Sequence, residues 1–209
     1  MISPFGIKIG GDSTPPTPAP VGATLMKTGQ TTSYRTGDDG DIEAGRATSF
    51  TVLASNNPFG NTNRFTDELG GQTYTNNIVI DWSTYNGSNV LGYRRTPSAT
   101  TVNWNNAIDG AVAVSIGSYT TGWRLTNIRE LMNIVYFENG NGTFTSLLQY
   151  PPFNIIDDLW SSTNLNTQPN FAWYLGGNNQ RNLILYEGKG NFYKYIPCRT
   201  FTVTGTTLT

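Results

Sequence analysis

The sequence predicts an α+β domain, with two short helices set among antiparallel strands and many loops. Three observations carry that expectation. Apolar positions recur at helical spacing twice, first as Trp104, Ala107, Ile108, Ala111 and Val112, then as Ile128, Leu131, Met132 and Val135. Polarity comes from Thr, Asn and Gly more than from charge: the chain has 23 glycines and only 13% charged residues. Asn and Gly tolerate turn backbones while Thr fits strands, so this is the composition of strands joined by loops. The last third, finally, alternates aromatic-aliphatic segments with Gly- and Asn-rich turns, as an antiparallel meander does.

The first helix is expected over residues 103–114, with Gly110 inside it at a cost of about 1 kcal/mol relative to Ala. The second is expected over residues 127–137. There Asn127 caps the first turn and Glu130, three places on, reaches back to close a capping box. Strands are expected near 64–66, 73–74 and 77–82, and later over 171–176, 182–186 and 192–203. These elements make one domain over residues 23–205. Residues 206–209 form a polar, flexible tail. Residues 1–11 hold a short apolar stretch bounded by Gly, and residues 12–22 contain four prolines, which favour an extended spacer. An apolar peptide on a stiff spacer is expected to anchor the domain to a partner, as a strand added to that partner's sheet, ahead of a frayed terminus or a strand folded back onto its own domain.

The composition narrows function. Twelve percent aromatic residues, five of them Trp, are enough to fill a sizeable core. A net charge of −1 gives no electrostatic footprint for nucleic acid. No apolar run approaches the roughly 20 residues needed to span a bilayer, and the N-terminus lacks the pattern of a secretory signal. The single Cys198 leaves no internal disulfide and reads as a small buried residue of a strand made in a reducing compartment. There is no histidine, which removes the commonest general base and transition-metal ligand. No catalytic residue is expected.

Several constellations are candidates for binding. Asp38, Asp39 and Asp41 surround Gly40 in a loop that would suit Ca2+, although no Glu follows at the spacing of a twelve-residue calcium loop. Asp157 and Asp158 are adjacent carboxylates better suited to a turn or cap than to facing each other across a sugar. In the final meander, Trp173 is assigned to the core. The turns around Asn178, Asn179 and Glu187, with Tyr186 and Tyr193, are the expected contact surface, because loops on a rigid scaffold carry binding residues and Tyr suits a sugar ring.

Six ordered motifs then carry a family resemblance: residues 27–34, the loop 36–41, residues 64–67, Trp104 opening the first helix, Trp123 to Leu125 with Glu130 and Leu131, and Trp160 to Thr163, followed by the closing Cys198 and Arg199. Together they resemble the C-terminal domain of the Legionella collagen-like adhesin family, a bacterial and phage domain of the C-type-lectin-like group. Gln168, Pro169 and Asn170 are also similar to the Glu-Pro-Asn tripeptide with which C-type lectins hold calcium and sugar. Two departures stand out: Thr126 occupies a position where the family usually has Pro, and residues 81–95 differ from the usual segment. The resemblance implies adhesion and ligand display rather than catalysis. Combined with the anchor and spacer, it leads to the expectation of a bacteriophage virion structural protein, in a tail fibre or capsid decoration, that displays a lectin-like module to host-surface glycans. The alternatives are a bacterial surface adhesin and, less favoured, a glycan-active enzyme. Expected partners are other virion proteins through residues 1–22, a host glycan and further copies of the chain.

Overall fold

A computed structural model describes residues 33, 36, 52, 54–135, 152–153, 155–177 and 184–209. Among the described residues the fold is mixed α+β, two helices among mostly antiparallel strands in two sheets, as expected. The expected anchor and spacer, residues 1–22, and the acidic residues Asp38, Asp39 and Asp41 lie outside the described residues, as do Asn178 and Asn179.

In chain order the elements are β1 (Phe65–Thr66), β2 (Ile78–Asp81), β3 (Asn89–Arg94), α1 (Trp104–Val112), β4 (Arg124–Leu125), α2 (Ile128–Asn133), β5 (Leu159–Asn164), β6 (Phe171–Leu175), β7 (Ile184–Gly188), β8 (Lys194–Tyr195), β9 (Pro197–Thr204) and β10 (Thr207–Leu208). The first sheet runs β1-β2-β3-β9-β10, with β4 also on β9. The second runs β7-β6-β5-β8.

Strand alternation fills both faces of the first sheet. Ile78, Ile80, Val90 and Phe201 pack on one face with Trp82, Trp123 and Leu208. Val79, Tyr93 and Cys198 point to the other, where Leu131 and Ile134 meet Phe153, Leu159 and Leu175 of the second sheet's side. A third cluster joins Ala107 and Ala111 of α1 to Trp160, Tyr174 and Tyr195. Gly110 has a packing reason: a Cβ there would stand 2.3 Å from the Tyr195 hydroxyl oxygen.

Both helices begin where the sequence places them. Asn103 caps α1 through the Asn106 N–H. Asn127 accepts from the Glu130 N–H while Glu130 accepts from the Asn127 N–H, the full capping box. Helix α2 ends earlier than expected, at Asn133, because its C-terminal carbonyl is taken by a buried arginine: Arg64 Nη2 donates to the Asn133 oxygen at 2.5 Å.

Other expectations change. Residues 73–74 are not a strand. Tyr74 adopts φ 54°, and the loop closes on Asp67, whose carboxylate accepts from the N–H groups of Leu69, Gly71 and Tyr74 and from the Thr73 hydroxyl. The stretch 192–203 is not one strand: β8 pairs in parallel with β5, and the chain then crosses at Ile196 to join the first sheet as β9. Pro197 lacks an N–H and so suits the first position of the new strand. The tail is ordered into β10, with Leu208 buried, because Gly205 at φ 60° closes a tight turn back onto β9. Residues 81–95 contain β3, which sits between β2 and β9.

Thr126 is bonded through both its hydroxyl and its carbonyl. Its hydroxyl donates to the Ile196 carbonyl at 3.0 Å, and its own carbonyl accepts from Ser162 at 2.8 Å. It is fully buried, tying β4 to the crossover and to β5 with a donor that proline lacks.

Candidate functional site

The β6–β7 pair organises the candidate binding surface. Register places Trp173 opposite Tyr186 and Ala172 opposite Glu187. Neighbouring side chains on a strand point to opposite faces, so the pair divides into two chemically distinct sides.

On the first side stand Phe171, Trp173 and Tyr186. Tyr186 packs edge-on against both others, with centroids 5.5 Å from Trp173 and 6.1 Å from Phe171. Further along this side, Leu159 and Leu175 are sealed within the core that includes Leu131 of α2. Beyond that cover the side opens: Tyr186 is 51% exposed, and Phe171 and Trp173 are half-buried. Trp173 is therefore not the core residue the sequence reading made it.

The five tryptophans separate on the same point. Four spend their indole N–H on protein: Trp82 on the Thr66 hydroxyl, Trp104 on the Ser161 carbonyl, Trp123 on the Tyr119 carbonyl and Trp160 on the Val102 carbonyl, all within 3.0 Å. Trp173 is the fifth. Among the described residues its N–H has no acceptor, and it is not a buried unsatisfied group.

Glu187 and Tyr193 belong to the opposite side. Tyr193 stacks on Tyr174 at 4.5 Å and tilts against Trp160 at 4.7 Å, half-buried over the third core cluster. Burial pushes the Tyr174 and Tyr193 phenols above their usual value, and the Glu187 and Asp158 carboxylates push in the same direction. Glu187 Oε1 accepts from the Gly188 N–H. The structure thus separates Tyr186 from Glu187 and Tyr193, which the sequence reading grouped.

The remaining candidates are engaged locally. Asp157 pairs with Lys194 at 3.1 Å, and Asp158 accepts from the Gly177 N–H at 2.8 Å. Gln168 to Asn170 form an exposed turn before β6 whose Asn170 carbonyl accepts from the Lys189 N–H, bringing this tripeptide to the Glu187 end of β7. Among the described residues no three His, Cys, Asp or Glu side chains gather to hold a metal.

Two carboxylates are strongly held. Burial would raise Glu130, but bidentate contact with Arg124 (2.8 and 2.5 Å) and the Asn127 N–H hold it below its ordinary value. The same group receives the Cys198 thiol at 3.5 Å, and burial pushes that thiol far up, which keeps it protonated and unreactive. Asp67 is likewise held low against its burial by the backbone N–H groups of its own loop.

Sequence reading missed the outward face of Trp173. Period-two alternation over residues 171–175 was the available signal: Phe171 and Trp173 share a side opposite Ala172 and Tyr174. No protein-family model matches the chain, and no curated protein matches it.

Proposed function

We propose that this chain is a lectin-like display module of a bacteriophage particle, a virion structural protein that adheres to host-surface glycans and performs no catalysis. The observation that carries the binding part is Trp173, whose half-buried ring shares an open sheet face with Phe171 and Tyr186 and whose indole N–H has no acceptor among the described residues. A pyranose needs an apolar ring to lie against and donors for its hydroxyls, and Trp beside Tyr supplies both. Asn178 and Asn179, which fall between β6 and β7 in the sequence, belong to this proposal as further contact residues.

Supporting the display part are the proline-rich spacer and the apolar peptide before it, which join the module to other virion proteins through residues 1–22. The mixed fold is the class that the resemblance to C-type-lectin-like adhesin domains implies. Weak single sites would be reinforced by copy number on a particle.

The test has two arms. On a glycan array prepared from host envelope, the chain should bind, and the double variant Trp173→Ala/Tyr186→Ala should lose at least tenfold in apparent affinity while keeping its unfolding midpoint. Undiminished binding by that folded variant removes this surface from the reading. Immunogold on a culture of the source should label phage particles; label confined to cell envelopes would turn the assignment to a bacterial adhesin.

A further inference from the structure

Arg199 is placed unlike the other engaged arginines. Arg64 is spent on Asp81 and Arg124 on Glu130, while Arg95 donates to the Pro152 carbonyl. Arg199 instead lies over two rings, its guanidinium carbon 5.1 Å from the Tyr119 centroid and 5.0 Å from that of Phe201. Those rings are themselves locked edge-to-face at 5.0 Å, and Phe201 is fully buried, so the platform is rigid. Among the described residues no acceptor meets the Arg199 N–H groups, and none of its nitrogens is a buried unsatisfied atom. The side chain is half-exposed. Gly122, at φ 81°, leaves the approach to Nε open; a Cβ there would stand 3.4 Å away.

A guanidinium held against aromatic rings by cation–π contact, with no acceptor among the described residues, keeps N–H groups available to a ligand. The guanidinium fork matches a planar carboxylate through two parallel charge-assisted bonds. The immobilisation is already present in the free protein, so less side-chain freedom is lost on binding. Glu68 is the one carboxylate that also acts on the Tyr119 hydroxyl, yet it makes no ion pair with Arg199 and is buried beside Asn76. The exposed Thr120 and Thr121 beside Tyr119 offer hydroxyls to a sugar.

We propose that Arg199, seated on Tyr119 and Phe201, is a recognition site for the carboxylate of an acidic saccharide. The site stands on the first sheet, apart from the Trp173–Tyr186 strip, so either surface can fail without the other.

The test is an NMR titration of the full chain, following arginine Nε–H signals on addition of sodium glucuronate, with glucose and inorganic phosphate as comparison ligands at constant ionic strength. The Arg199 signal should shift saturably, with a dissociation constant of roughly 1–10 mM for one bidentate contact, while Arg64 and Arg124 stay still and glucose has no effect. Arg199→Lys, which retains the charge and the aliphatic stem, identifies the signal by its disappearance and should weaken glucuronate binding at least about fivefold by the remaining shifts at Tyr119. A uniform drift of all arginine signals, no saturation at Arg199, or phosphate binding as tightly as glucuronate would overturn the assignment.

Discussion

At the scale of single residues, two carboxylates are expected to contribute to the response to acid. Asp67 is 4% exposed and accepts four hydrogen bonds from its own loop, and Glu130 joins Arg124 to the first turn of α2. Both are held below their ordinary values of 3.8 and 4.5. A carboxyl lowered on folding adds stability that is complete above its unfolded value and disappears as pH falls through its folded value. Chemical denaturation should therefore give a level midpoint from pH 7 to pH 5 and a decline below about pH 4.5. Asp67→Asn should lower stability at pH 7 by about 1–3 kcal/mol, since it sets an amide donor against the Tyr74 N–H or the Thr73 hydroxyl. The same variant should flatten the acid decline, and an unchanged acid limb would show that Asp67 does not drive it. Asp67 stood out in the sequence only as part of a motif; its partners lie within seven residues, but nothing in their types announces that all four would turn inward.

At the scale of elements, the helix starts were legible and the strand partners were not. Asn127 with Glu130 is a local signal, complete within four residues, and the structure forms it as read. Strand β3 was not legible, because Asn89, Gly92 and the preceding turn residues read as a loop until β2 and β9 lie on either side. Gly92 is the clearest case. A strand glycine is ordinarily weakening, but here a Cβ would fall 2.5 Å from the Phe201 ring and 2.9 Å from Ile80 Cδ1. Both neighbours are fully buried. Gly92→Ala should destabilise by about 1–3 kcal/mol through overpacking, read as a lower unfolding midpoint with an unchanged slope. A stabilised variant would mean that the Phe201 ring can retreat, against the packing described.

At the scale of the whole molecule, one buried ion pair ties separate parts of the chain together. Arg64 holds Asp81 at 2.9 and 2.8 Å, Asn133 donates its side-chain amide to Asp81, and Arg64 closes the end of α2. Side-chain exposure is 3% and 0%. Removing one partner leaves the other charge buried without compensation, so Asp81→Ala should cost about 3–5 kcal/mol. Lys194→Ala, which breaks the half-exposed pair with Asp157, should cost no more than about 1 kcal/mol. Comparable losses for the two in denaturant titrations would contradict the difference in burial. Neither Arg64 nor Asp81 could be matched from sequence, since they lie 17 positions apart and meet only when β1 and β2 pair.

What the sequence by itself determined is whatever local chemistry determines: the mixed class, the positions where both helices begin, the burial of Cys198, and the concentration of aromatic residues near the end. Those depend on spacing and on caps, which act within a turn or two of chain. Only the tertiary structure decided which side each aromatic faces, where the chain leaves one sheet for the other, and which charges find partners. Trp173 and Trp160 are similar residues in similar segments, yet one indole N–H meets the Val102 carbonyl and the other has no acceptor among the described residues. Arg199 on β9 and Arg124 on the adjoining β4 lie on neighbouring strands, yet of the two only Arg124 reaches a carboxylate among the described residues. The reason is physical: burial and pairing belong to the contact between distant segments, and a residue's type fixes what it can bond, not what the fold brings within reach.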